Sequence, residues 1–453
     1  MKRWMWLTVA ALVVVAAAVT LVALPKAPEW TSSSPEAVAE FQAGMDASMK
    51  IYYEDARRHY QRAVELDPDF VIANLFAIDS YKGDEATVSA MWSKVENADL
   101  SLLTPREKFF VERALARNAK RPEEADRLLD ECLAKYPNDP YILNQKAMET
   151  WSRGELEDAE RLYQRLVEMA PNWVLAYNQL GYINMMKGRF AEAEEYFKSY
   201  RFIAPDQANP HDSLGELFIT QGRYAEAEES LETAIAIKPD FWAAYQHLHL
   251  MQNFSGDFEG SRETVERMRA AGGPDSMVAS MNCFARSMKL RNAEKWQQIL
   301  DEADSNCVES FDEGYSAVTA HFAACKLSDW ERAMELEVEV ANLIEKNEER
   351  GSSKDLMTLR GAFLHMQGVR LALQGDYAGA EDKLRAADKG LTYVEAGIGM
   401  YKLFNQMILA EVLLADQQDS EAHGLLSKVR SVNPLLVADF EDSGLKSLGL
   451  DRM

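Results

Sequence analysis

Prolines at Pro137, Pro171, Pro205 and Pro239 follow one another at a constant interval of thirty-four residues, and each closes a run of the type LAKYP, VEMAP, RFIAP or AIAIKP. A fixed period restricts the fold strongly, because such a chain builds one supersecondary unit over and over. Twelve residues before the prolines stand Ala125, Ala159, Ala193 and Ala227, and eight before them stand Leu129, Tyr163, Phe197 and Leu231. Small and large residues therefore hold fixed offsets. Earlier in each unit, Leu180 and Gly181 recur as Leu214 and Gly215, Ala147 takes the glycine's place one unit before, and a turn glycine returns at Gly154, Gly188, Gly222 and Gly256. Close-crossing helices leave no room for a side chain at the crossing, so small residues belong there with a large one filling the gap beside them. Proline lacks an amide hydrogen and disfavours helix in the residue before it, so it ends the second helix.

This pattern resembles the tetratricopeptide repeat, a helix, a tight turn and a second helix in each unit. The resemblance implies an all-α fold, a right-handed superhelical solenoid of about ten helix-turn-helix units with concave and convex surfaces, each unit touching mainly its neighbours. It is strongest over residues 106–258, and Gly44, Ala56, Tyr60, Ala63 and Pro68 extend it to 37–70. A degenerate unit fills 71–105, Ser261 replaces the expected alanine, and residues 275–346 show amphipathic helix without the signature. The array thus spans 36–346, the segment NEERGSSKD at 347–355 reads as a linker, and further units occupy 356–453. There Gly368, Gly375, Tyr377, Ala380, Leu384 and Ala387 restore the pattern, followed by Ala410, Ala422, Leu426 and Pro434.

The amino terminus is different in kind. From Trp4 to Leu24 only Thr8 and Thr20 are polar, and a helix of that length, about 32 Å, covers the roughly 30 Å hydrocarbon core. Residues 1–24 are therefore expected to be a signal anchor, the single transmembrane helix that precedes the array. Lys2 and Arg3 in front of it keep the amino terminus cytoplasmic and send the array across the membrane, which in a bacterium means an inner-membrane protein with a periplasmic array. The competing reading is a cleaved signal peptide and a soluble periplasmic adaptor. Its apolar region would be shorter, and Pro25 and Pro28 make a poor exit around Ala27. Residues 25–35 read as a linker.

Composition excludes more than it selects. A formal net charge of −24 argues against nucleic acid, whose affinity for proteins comes largely from Lys and Arg. Cys132, Cys283, Cys307 and Cys325 show no metal-ligand spacing, although an oxidising compartment allows one disulfide among the last three. His247 and His249 lie two apart and point in different directions, and His321 and Cys325 share a helix face without enough further ligands for a metal. No phosphate-loop, dinucleotide or nucleophile-elbow motif occurs. The expectation is a protein without cofactor, metal or catalytic site; an enzyme with an unrecognised site in 275–350 is the rival.

What such a fold offers is a groove. The family resemblance implies a concave lining at the second, fifth, ninth and twelfth positions of each first helix. For units starting at Pro140, Val174, Ala208 and Trp242, these include Tyr141, Asn144, Met148, Trp151, Asn178, Tyr182, Met185, Asn209, Asp212, Glu216, Gln246 and Leu250. Amides can bond an extended peptide backbone, and aromatic and methionine surface adapts to varied side chains. The family's best-known carboxylate clamp uses Lys and Arg, and these positions do not supply them. The reading is a membrane-anchored scaffold that binds proteins or peptides and admits self-association, serving complex assembly or client holding.

Overall fold

The computed structural model describes residues 29–81, 83–303, 313–350, 353–393 and 396–437. Among them are twenty-two helices following one another in eleven pairs, slightly more than the sequence period suggests. The first three pairs are α1 (Pro35–Met49) and α2 (Tyr53–Leu66), α3 (Val71–Ser80) and α4 (Glu85–Glu96), α5 (Pro105–Asn118) and α6 (Pro122–Lys135). The regular stretch follows with α7 (Pro140–Ser152) and α8 (Leu156–Met169), α9 (Val174–Met186) and α10 (Phe190–Ile203), α11 (Asn209–Thr220) and α12 (Tyr224–Ile237), α13 (Trp242–Phe254) and α14 (Phe258–Ala270). Then come α15 (Asp275–Asn292) and α16 (Trp296–Ala303), α17 (Glu313–Lys326) and α18 (Trp330–Arg350), α19 (Ser353–Leu373) and α20 (Tyr377–Gly390), α21 (Ala396–Ala415) and α22 (Asp419–Val432). Two compact units result, one from residues up to 48 with 52–132, the other from 49–51 with 133 onward.

In the smaller unit, Phe41 gathers the rings of Trp30, Phe70 and Phe76 at centroid distances of 4.9, 5.4 and 5.3 Å. Residues 30–34 are not the loose linker that their Pro, Ser and Thr composition suggests. Trp30 is buried, the Thr31 amide and hydroxyl donate to Glu107 at 2.6 and 2.7 Å, and the Ser32 hydroxyl donates to Asp67 at 2.6 Å. Glu107 also closes the capping box with Thr104 that starts α5. One apolar ring and two capping carboxylates thus fix a stretch that polar composition alone reads as free.

In the larger unit the period is visible as packing. A Cβ built on Gly215 would stand 2.6 Å from Leu231 Cγ, one on Gly368 would stand 2.6 Å from Leu384 Cγ, and Gly181 meets the ring of Phe197 still more closely. The same offset pairs Gly44 with Tyr60 in the smaller unit. Phe197 and Leu231 are wholly buried, so neither can retreat. Gly181→Ala is therefore expected to lose about 1–2 kcal/mol, an overpacking cost that exceeds the gain in helix propensity. Thermal unfolding of Gly181→Ala beside Gly181→Ala/Phe197→Leu checks it; a double variant no more stable than the single one would show that the crossing is not what is strained.

The turn glycines behave as the sequence implies, with φ of +77°, +71°, +71° and +78° at Gly154, Gly188, Gly222 and Gly256, a region open to glycine at little cost. One unit departs from the small-residue rule in an intelligible way. His249 stands at the glycine position and Ser261 at the alanine position, and their contact is a buried hydrogen bond of 3.0 Å, with the Asn253 amide donating to Ser261 at 2.8 Å. A polar knot replaces close apolar packing there. Over 275–350 the signature fades because helix lengths do: α15, α16, α17 and α18 have 18, 8, 14 and 21 residues, so no constant period survives. The proposed linker at 347–355 is helical on both sides, residues 347–350 lying in α18 and 353–355 in α19.

The apolar segment 4–24 lies outside the described residues, and among those described no helix is long and apolar enough to cross a membrane.

Candidate functional site

The helices α7, α9, α11 and α13 begin at Pro140, Val174, Asn209 and Trp242, in register with the expected lining, so each residue can be located. At α7, Asp139 caps the helix by accepting from the Tyr141 and Ile142 amides at 2.9 and 3.3 Å. Tyr141 packs edge-on to Trp173 at 4.9 Å and Trp151 to Tyr163 at 6.5 Å. Met148 is 48 % exposed, and buried Asn144 places its amide nitrogen 3.3 Å from the Met148 sulfur. Gln246 and Leu250 on α13 are half-buried. These residues carry the part of the lining that solvent reaches.

At α9 and α11 the lining is shut. Asn178, Met185, Asn209, Asp212 and Glu216 are at most 4 % exposed, and of α11 only His211 escapes full burial. The cover is the carboxy-terminal part of the same unit. Helix α21 packs against α11 and α13, Phe404 meets Phe254 at 6.4 Å and Tyr393 meets Phe190 at 5.2 Å. Asn433, just past α22, donates from Nδ2 to the Thr220 carbonyl at 3.1 Å, satisfying an end of α11. A Cβ on Gly222 would collide with the Asn433 side chain, so this glycine serves the turn and the closure together.

Under that cover the lining's polar groups bond one another. The Tyr182 hydroxyl donates to Glu216 Oε2 at 2.9 Å and lies 3.3 Å from Ser213 Oγ, while Ser213 donates to Asn178 Oδ1 at 2.8 Å. His247 Nδ1 stands 2.8 Å from Asp212 Oδ1, and Asn209 donates to the Tyr200 hydroxyl at 3.2 Å. Burial, and after it the charges of Glu216 and Asp212, hold the Tyr182 hydroxyl well above its ordinary range. Residues read as a peptide-facing surface therefore bridge adjacent repeats. The thirty-four-residue pattern did not reveal Asn433 or α21 as their cover, since it encodes contacts between neighbours.

Chemistry in 275–350 was the rival expectation, and its most suggestive group is Cys325, His321 and Glu337. The sulfur lies 3.7–3.8 Å from both ring nitrogens of His321, and Glu337 accepts at 3.1 Å from His321 Nε2. Cys325 is 2 % exposed, and burial pushes its thiol up to about 12. A reactive cysteine needs the opposite, a depressed pKa and access. Cys132 also keeps its thiol; Cys283 is disulfide-bonded.

Family comparison agrees with the period. Models of the tetratricopeptide repeat match residues 144–208 and 184–251. Residues 144–251 are tetratricopeptide repeats. No curated protein matches the chain. Among solved structures, this tetratricopeptide array is similar to MamA from Desulfovibrio magneticus RS-1, at 19% identity and a TM-score of 0.31, over 38% of this chain and 94% of that one. It is also similar to a tetratricopeptide repeat protein from Parabacteroides merdae, at 13% identity and a TM-score of 0.38, over 68% and 98% of the two chains. The APC/C hetero-tetramer Cut9–Hcn1 gives 15% identity and a TM-score of 0.48, over 91% and 76%. Tetratricopeptide proteins generally act as protein–protein interaction scaffolds, and no catalytic domain is found in this one.

Proposed function

We propose that the chain is a non-enzymatic scaffold, anchored in a bacterial inner membrane through residues 4–24, that presents its repeats to protein partners on the extracytoplasmic side. The observation that carries the binding reading is the open part of the concave lining, where Met148 is 48 % exposed on a helix whose remaining apolar residues are packed. Tyr141, Trp151, Gln246 and Leu250 extend the same register, while the shut part at α9 and α11 serves as framework. The disulfide at Cys283 supports an oxidising compartment, because such bonds rarely persist in the cytosol. Trp30 is already packed, so residues 25–29 hold the array within roughly 20 Å of the anchor even when fully extended.

The test is crosslinked recovery from membranes, with the full chain, the chain lacking residues 1–30, and Met148→Glu/Leu250→Glu in the full chain. A charge pair on this surface should reduce recovery of a defined partner by tenfold or more, as loss of one anchor of about 1–2 kcal/mol each implies, with helical circular dichroism unchanged. Undiminished recovery moves the interface elsewhere. Wild-type chain found in the soluble periplasmic fraction would replace the anchor with a cleaved leader.

A further inference from the structure

A cavity in the larger unit lies away from the concave lining, where α15, α16, α17, α19 and α21 come together. Its walls are mainly aromatic and aliphatic, with Trp296 and Phe322 edge to face at 5.7 Å. Two polar groups break that surface. Arg291 holds its guanidinium over the rings of Phe322 and Phe404, 5.2 and 5.6 Å from their centroids. It has no carboxylate partner among the described residues, although the chain carries 73 acidic residues against 49 Lys and Arg. His365, 6 % exposed, is the other.

The protonation pattern of His365 follows from its neighbours. Asn405 donates from Nδ2 to the Leu384 carbonyl at 2.9 Å, which turns its Oδ1 toward His365 Nδ1 at 3.0 Å. That oxygen can only accept, so Nδ1 carries the hydrogen and Nε2 presents a lone pair. Burial pushes His365 down to about 4, which keeps the ring neutral at pH 7. Nε2 has no hydrogen-bond partner among the described residues. A buried acceptor left unmatched is costly, and this one belongs to a residue lining a cavity that also holds an unpaired cation.

We propose that this cavity binds a short-chain hydroxy carboxylate, with the carboxylate on Arg291, the hydroxyl donating to His365 Nε2, and the short alkyl part against the aliphatic wall. Size sets the chain length. Water-sized centres occupy about 40 Å³ of the cavity, about the room of three waters at the ~10–15 Å³ each requires, so a ligand of a few carbons fits and a long acyl chain does not. An apolar lining with few convergent polar groups is the usual make-up of a small-molecule site, and a carboxylate suits the planar guanidinium better than a neutral amide does. The site is independent of the partner-binding face: none of its lining residues belongs to α7, α9, α11 or α13.

Isothermal titration of the full chain with lactate, propionate and lactamide tests both contacts without any substitution. Lactate is expected to bind at least about tenfold more tightly than lactamide, which lacks the charge, and severalfold more tightly than propionate, which lacks the hydroxyl. Arg291→Met should lower lactate affinity at least about tenfold while helical circular dichroism stays unchanged. Equal binding of lactate and lactamide, or no saturable heat with lactate, overturns the proposal, as does undiminished lactate binding by a folded Arg291→Met chain. Equal binding of lactate and propionate would overturn the role of His365.

Discussion

Acidification from pH 7 to pH 5 is expected to cost the larger unit about 4 kcal/mol, most of it through two histidines. Burial pushes His249 and His365 each down to about 4, against about 6.5 for a histidine in the unfolded chain. The unfolded state therefore begins to take up protons near pH 6.5 while the folded state stays neutral until about pH 4. More protons bound when unfolded means that stability falls with pH, fully present above about 6.5 and lost progressively toward 4. At pH 5 each site has lost roughly 1.5 units' worth, about 2 kcal/mol. Burial lowers His321 as well, in the same direction. Repeat arrays open locally, so hydrogen exchange on α13 and α19 reports the effect better than one global midpoint. Protection there should fall between pH 7 and pH 5, after correction for intrinsic exchange rates, and His365→Gln should flatten the profile at α19. A flat wild-type profile would mean that the two rings are not held neutral by burial.

The local structure of this chain was legible because its information is local. A proline ruler, a turn glycine and a small residue sixteen positions before a large one specify the crossing of Gly215 with Leu231 and the left-handed turns at Gly188 and Gly222 without reference to anything distant. The same logic locates the starts of α7, α9 and α13 to the residue. It fails where a contact has no period. Asn433 reaches Thr220 across 213 residues, and neither end carries a mark distinguishing it from its counterparts in other repeats. The lining was correctly placed in register, yet its burial depends on α21, whose role no spacing announces. Residues 30–34 show the converse error, in which polar composition suggests freedom and three carboxylate hydrogen bonds, two to Glu107 and one to Asp67, remove it.

Glu337→Ala is the substitution expected to cost most, about 3–5 kcal/mol at pH 7, the usual penalty for stripping one partner from a buried ion pair. Glu337 on α18 is 6 % exposed. It accepts from Arg370 of α19 through Nε at 2.7 Å and Nη2 at 3.1 Å, and from His321 of α17 at 3.1 Å. One carboxylate thus joins three successive helices. Burial opposes its charge, but the hydrogen bonds from His321 and Arg370 outweigh that and hold the carboxyl below its usual range. Its contribution is accordingly present above the ordinary carboxylate pKa and disappears only as pH falls below it. Alanine leaves the Arg370 guanidinium without its counter-charge in a largely dry site. Glu337→Gln keeps an acceptor and should cost less, about 1.5–3 kcal/mol, the range for a charged hydrogen bond. Glu337→Leu/Arg370→Leu should recover much of the loss, since apolar replacement of a complete buried pair is often close to neutral. Urea midpoints of the three variants at pH 7 decide the matter. A double variant as unstable as Glu337→Ala would locate the cost in packing rather than in an unpaired charge.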